Sequence, residues 1–174
     1  MSESQDEYSE SLEAGFAKLD DALLSDTVKL LAPSEPIRLT AQDSVDEAVR
    51  QMTDKRRAAV VVVDDAGRLI GIFTERDVLT RVVRRRLDPE RTRLADVMTP
   101  DPESLAPQDR ICYAVNRMHS TGYRSVPLVD ADRRPIGIVT VNDIVKWLAE
   151  IFPEAVLNLR PGDRLKRPLE IDAG

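Results

Sequence analysis

The residues with the clearest chemical potential are a threonine and an aspartate three positions apart, Thr74 and Asp77 in "GIFTERDVL", which return as Thr140 and Asp143 in "GIVTVNDIV". Such a pair, placed where an apolar strand gives way to a helix, can do two things. The threonine hydroxyl and the unpaired backbone N–H groups of a helix start can hold a phosphate or hydroxyl, while the carboxylate one turn inside accepts hydrogen bonds from both hydroxyls of a ribose. The same spacing is also a capping-box-like start, which needs no ligand, and the two roles can coexist. Cations stand nearby: Arg76 lies inside the first motif, and Arg124 immediately precedes Ser125 and the strand "SVPLVD". A planar guanidinium pairs bidentately with oxyanions, so each arginine suits a phosphate, the plain alternative being a solvated surface side chain. The two motifs are unequal. The second has Val141 and Asn142 where the first has Glu75 and Arg76, and the first copy has Ala58, beside Arg57, where the second has Arg124.

The elements that hold these residues are themselves duplicated. Shifted by sixty-six positions, Leu39, Gln42 and Asp43 fall on Leu105, Gln108 and Asp109, Ala48, Val49 and Met52 on Ala114, Val115 and Met118, and Val60, Val63 and Asp64 on Val126, Val129 and Asp130, without a gap. Each copy reads as a strand, a helix, two strands joined by a tight turn, and a second helix. "SVDEAVRQMTD" places Val45, Ala48, Val49 and Met52 at helical spacing behind Ser44 as N-cap, and "AAVVVVDDAGRLIGIFT" gives two apolar runs around a turn at Asp64 to Gly67. "ERDVLTRVVRRR" continues as a helix with an apolar stripe of Val78, Leu79, Val82 and Val83. Strand and helix alternate, so the class is α/β. Units of about sixty residues bury too little surface to stand alone comfortably, so the copies are expected to pack together through their sheets.

This twice-repeated pattern of Gly, apolar, any, Thr, two more and Asp, following an apolar strand that ends in "VD", resembles the CBS domain over about Val28 to Trp147, and "DVMTP" at Asp96 to Pro100 is similar to that family's lead into a second unit. The resemblance implies a tandem pair of CBS units, each a small sheet packed with two helices, in a pseudo-two-fold module. It divides the chain into an acidic start and amphipathic helix (1–27), unit one (28–86), a linker (87–93), unit two (94–151) and a C-terminal arm (152–174). It further implies an adenine ligand (AMP, ADP, ATP or S-adenosylmethionine, with magnesium as an option beside ATP) held in the cleft by Thr74, Arg76, Asp77, Arg124, Ser125, Thr140, Asn142 and Asp143. The implied function is regulatory: a ligand-sensing module that signals to an unidentified partner protein. The rival reading is a constitutive interaction or scaffold protein with the same fold and no working site.

Other features narrow the function classes. The net charge of -6 at pH 7 argues against non-specific nucleic-acid binding, and "RRR" at Arg84 to Arg86 reads as a solvated helix end. Cys112 is the one cysteine and His119 the one histidine, so the sequence offers neither an internal disulfide nor a metal cluster. No catalytic arrangement or glycine-rich phosphate loop is present, and the expectation is a protein that is not an enzyme and needs no cofactor. No apolar run approaches a membrane span, and "MSESQDEYSES" is unlike a secretion signal, which points to the cytoplasm. Leu12, Phe16, Leu19 and Leu23 form one apolar helix face that must cover either this chain's own module or a second chain. A homodimer is expected through the helices that end each copy, Val78 to Val83 and Ile144 to Trp147.

Overall fold

The computed structural model describes residues 14–15, 17–19 and 21–151. Leu12, Phe16 and the arm 152–174 lie outside the described residues. A first helix, α1, has its described residues at 14–15, 17–19 and 21–25, and a short 3-10 turn follows at Val28–Leu31. Unit one then runs β1 (Arg38–Thr40), α2 (Val45–Lys55), β2 (Ala59–Val63), β3 (Leu69–Thr74) and α3, which starts as Glu75–Asp77 and goes on as Val78–Val83. Unit two runs α4 (Leu94–Val97), β4 (Thr99–Pro100), α5 (Ile111–Thr121), β5 (Ser125–Val129), β6 (Pro135–Thr140) and α6 (Val141–Ile151).

Local chemistry sets these elements as their spacing predicts. Ser44 caps α2 by accepting from Glu47 N at 3.1 Å, and Val45, Ala48 and Met52 are buried on its inner face. The first hairpin turns at Asp64, whose Oδ1 accepts from Ala66 N at 3.0 Å and Arg68 N at 2.8 Å, with Gly67 at φ 77. In the second hairpin the equivalent left-handed position is Arg133, at φ 62. Helix ends differ in the opposite sense: α2 ends on Arg56 at φ 51, whereas α5 ends on Gly122 at φ 71.

The two units are interlocked. β1 runs parallel to β2, β2 and β3 are antiparallel, and β4, from the lead into unit two, closes that sheet by pairing Gly71 with Pro100 and Ile72 with Thr99. Reciprocally, Ser34, from the lead into unit one, bridges to Ile138 on β6 of the other sheet, and Leu105 bridges in parallel to Leu128 on β5. The cores follow the same exchange. Leu94 and Val97 of α4 are buried with Val45, Met52, Val60 and Phe73 of unit one, whereas Val28 and Leu31 are buried with Ile111, Met118 and Val126 of unit two. The repeated glycines are explained by this crossing. A Cβ on Gly71 would lie 2.3 Å from Met98 Sδ, and one on Gly137 would lie 3.1 Å from the Pro33 ring.

A third cluster, Ala59, Val61, Leu69, Ile72, Val129 and Ile138, lies where the two sheets meet, as expected for copies that pack through their sheets. At one end of this seam the hairpin turns touch, Leu69 N donating to Arg133 O at 2.8 Å and Arg134 Nε to Ala66 O at 3.3 Å. The face of α1 settles on its own chain, with Leu19, Ala22 and Leu23 packed on the core of unit two and Asp26 Oδ2 accepting from Trp147 Nε1 at 3.2 Å.

Two expectations need correction. The helix after Asp77 widens into a π-turn over Val78–Val83, with Arg84 N bonded to Leu79 O, five residues back. Its apolar residues consequently split. Val82 is buried and Val78 half-buried, while Leu79 and Val83 are exposed. In α6, Ile144 and Trp147 face the core, so the outward apolar residues there are Val141 and Val145.

Candidate functional site

Both Thr-x-x-Asp pairs sit at strand-to-helix junctions, and both act as caps. Thr74 Oγ1 donates to Asp77 Oδ2 at 2.7 Å, Thr74 N donates to the same oxygen at 3.0 Å, and Asp77 N returns a bond to Thr74 Oγ1 at 3.4 Å. The second pair repeats this, with Thr140 Oγ1 and Thr140 N donating to Asp143 Oδ2 at 2.7 and 2.8 Å and Asp143 N returning a bond at 3.3 Å. The first helical amides are also taken, Glu75 N by Ala58 O and Val141 N by Arg124 O, each at 3.1 Å. The threonine hydroxyls and two of the N–H groups at each start are thus engaged within the protein. For a ligand, what remains at each junction is chiefly the second carboxylate oxygen.

That oxygen differs between the copies. Asp77 Oδ1 pairs with Arg81 Nε at 3.2 Å, while no hydrogen bond or ion pair reaches Asp143 Oδ1 among the described residues. No buried side-chain polar atom is left unpaired among them either, so Asp143 Oδ1 is open to solvent.

The cleft lies at the end of the seam away from the hairpin turns. Its volume is about 20 Å³, and it gathers the lead-in Ser34 to Ile37, the loop Arg57 to Ala59, and Ser125, Ile138 and Thr140. Ligand pockets commonly run to roughly 300–1,000 Å³, so this cleft is nearly closed, with room for little more than one water. The arrangement is crosswise: the second motif faces the loop of the first unit. The loop carrying Arg124 begins at Gly122, where a Cβ would sit 3.9 Å from Arg76 Nη1, and it ends beside the second motif, where Arg124 O accepts from Val141 N and Ser125 pairs with Thr140. Arg124 thus stands by backbone at the Thr140 junction, and Arg57, which the repeat register exposes as the neighbour of Ala58, lines the cleft with Thr140 from the other unit. Arg57, Arg76, Arg124 and Asn142 are all exposed, Ser125, Thr74, Thr140 and Asp143 half-buried, and Asp77 buried.

Elsewhere, a larger open groove of about 450 Å³ runs between α2 and α3, lined by Val49, Met52, Thr53, Val78 and Leu79 with Arg56, Arg57 and Glu75. His119 is exposed in the last turn of α5, and no metal-ligating cluster exists among the described residues.

The comparisons with known proteins agree with this fold. The chain is 29% identical over 164 residues to the CBS domain-containing protein CBSCBSPB3 of Arabidopsis thaliana, covering 84% of this chain and 28% of that protein. It thus spans under a third of that relative's length. Among solved structures it resembles CBSX2 in complex with AMP, at TM-score 0.62 and 25% identity, covering 72% of this chain and 98% of that one. It is similar too to the CBS domain pair of protein MJ0100 in complex with 5-methylthioadenosine and S-adenosyl-L-methionine, at TM-score 0.64 and 25% identity, covering 71% of this chain and 96% of that one. The family model for the CBS domain matches residues 28–84 and again 94–150, and the chain belongs to the CBS domain family, carrying two such domains in tandem.

Proposed function

We propose that this chain is a regulatory module that binds an adenine nucleotide or a related adenosyl ligand between its two CBS units and passes occupancy to a partner protein. The observation that carries this reading is the cleft itself, where Thr140, which starts the second Thr-x-x-Asp motif, and Ser125 meet Arg57 of the other unit. The likeness to CBS pairs solved with AMP and with S-adenosyl-L-methionine supports it. In this reading the carboxylate oxygen left by the cap takes the ribose hydroxyls, exposed arginines at the cleft mouth take phosphate, and magnesium enters only with ATP. Signalling is a population shift: a ligand touching both units favours the arrangement in which both contact it, by its differential affinity alone. The module works in the cytoplasm as a homodimer and acts by regulating a partner rather than by catalysis of its own. No helix of the described residues is long and apolar enough to cross a membrane.

The scaffold reading retains one observation in its favour, the engagement of both threonines and both aspartates as caps. Thermal denaturation with AMP, ADP, ATP and S-adenosylmethionine separates the two. A ligand that binds only the folded chain, present at a hundred times its Kd, adds about 2.7 kcal/mol and raises the midpoint. A midpoint unmoved by all four ligands rejects the sensor and leaves the scaffold.

A further inference from the structure

We propose that the two junctions are unequal in kind: the Asp143 side is open to a ribose, while the Asp77 side is locked by Arg81, so that each chain binds one nucleotide. This rests on the adenosyl-binding reading above and adds to it the stoichiometry and the residue that sets it.

Capping consumes Oδ2 of both aspartates in the same way, so only Oδ1 can meet a vicinal diol. At Asp77 that atom is held by Arg81 Nε at 3.2 Å, with side-chain exposures of 34% for the arginine and 11% for the carboxylate. Arg81 is itself fixed elsewhere, its Nη1 donating to Val97 O at 2.8 Å and Met98 O at 2.6 Å. Those carbonyls end α4, the element that completes the core of unit one, so swinging Arg81 away costs both of these bonds as well as the ion pair. A ribose arriving at Asp77 would have to displace a cation from a poorly solvated carboxylate, which is unfavourable. Sixty-six positions on, the register puts Trp147 in place of Arg81. Its only side-chain donor goes to Asp26, and α6 is α-helical throughout rather than π-turned. Nothing among the described residues competes for Asp143 Oδ1.

Calorimetric titration with AMP, with a melt of each variant as a check of folding, tests the lock. Wild type should bind one AMP per chain, Asp143→Asn should lose tenfold or more in affinity, and Arg81→Met should gain a second binding event. Two equivalent sites in wild type, wild-type affinity in Asp143→Asn, or a folded Arg81→Met that still binds one AMP would each overturn the lock while leaving the adenosyl-binding reading intact. Should Arg81→Met fail to fold, wild-type stoichiometry together with Asp143→Asn decides. If wild type binds none of AMP, ADP, ATP and S-adenosylmethionine, the adenosyl-binding reading falls and the lock, as a statement about ligands, falls with it.

Discussion

At the scale of single residues, the crosswise geometry brings Arg57 of the first unit to the junction where Arg124 stands in the second. Arg57 lines the cleft with Thr140, so Arg57→Ala should weaken AMP binding by roughly 1.5–3 kcal/mol, about ten- to a hundred-fold, and spare adenosine, because only a charge-assisted phosphate contact is removed. Arg124→Ala should act in the same sense, since Arg124 O accepts from Val141 N beside Thr140. Titrations of the two variants with AMP and adenosine check this, and unchanged AMP affinity in both would reject a phosphate role for these arginines. A second residue-scale expectation concerns acid. The backbone N–H of Arg68 bonded to Asp64, helped by the Arg68 side chain, holds that carboxyl below its ordinary value of 3.8. A group depressed on folding contributes stability above its unfolded value and loses it as pH falls through the folded one. Carbon-13 titration should find Asp64 ionising below an ordinary aspartate, and Asp64→Asn should shift that carboxylate's part of the acid unfolding limb.

At the scale of elements, much was legible and the omissions have physical reasons. The sixty-six-residue register, the Ser44 cap, the valine-rich strands and the turn at Asp64 follow from local patterns, and each appears where those patterns place it. The π-turn was not legible, because Val78, Leu79, Val82 and Val83 fit an α-helical stripe equally well. Arg81 was visible as a departure from Trp147, yet nothing in a sequence says that one side chain reaches a carboxylate and two carbonyls at once. The left-handed positions held by Arg56 and Arg133 were hidden for a similar reason: propensity assigns them to glycine, as their register partners Gly122 and Gly67 show. Replacing Arg56 by glycine should therefore raise the ligand-free melting midpoint, by the equivalent of roughly 0.5–1 kcal/mol, as relieved strain exceeds the added freedom of the unfolded chain. The reverse holds for the crossing glycines. Gly137→Ala should destabilise by about 1–3 kcal/mol because the Pro33 ring cannot rotate aside, and Gly71→Ala by less because Met98 can.

At the scale of the whole molecule, several of the exposed apolar side chains lie on helices of both units. Leu79 and Val83 on α3, and Tyr113, Val115, Val141 and Val145 on α5 and α6, all lie outward, and Val49 and Leu79 line the groove of unit one. Surface of this kind commonly marks an interface, and a surface repeated on both units suits a symmetric pair. Light scattering should give a dimer for the full chain and a monomer for the Leu79→Glu, Val145→Glu variant. A monomeric wild type at high concentration would remove the homodimer from the proposal.

The exchange of lead-in segments means that neither unit is a finished object. Residues 33–34 lie against the sheet of the second unit and residues 99–100 close that of the first, so the segment 84–93 tethers two partners that would otherwise have to find each other in solution. A short tether, here docked on unit one through Val45 N to Thr92 O and Asp46 N to Pro89 O, supplies a local concentration on the order of millimolar or more, which turns association into a step of folding and makes it indifferent to dilution. Cutting the backbone once within 84–93 should therefore leave the folded assembly in place while changing its thermodynamics. The nicked protein's melting midpoint should fall as it is diluted, whereas that of the intact pair of units, provided it is measured on one oligomeric state, should not.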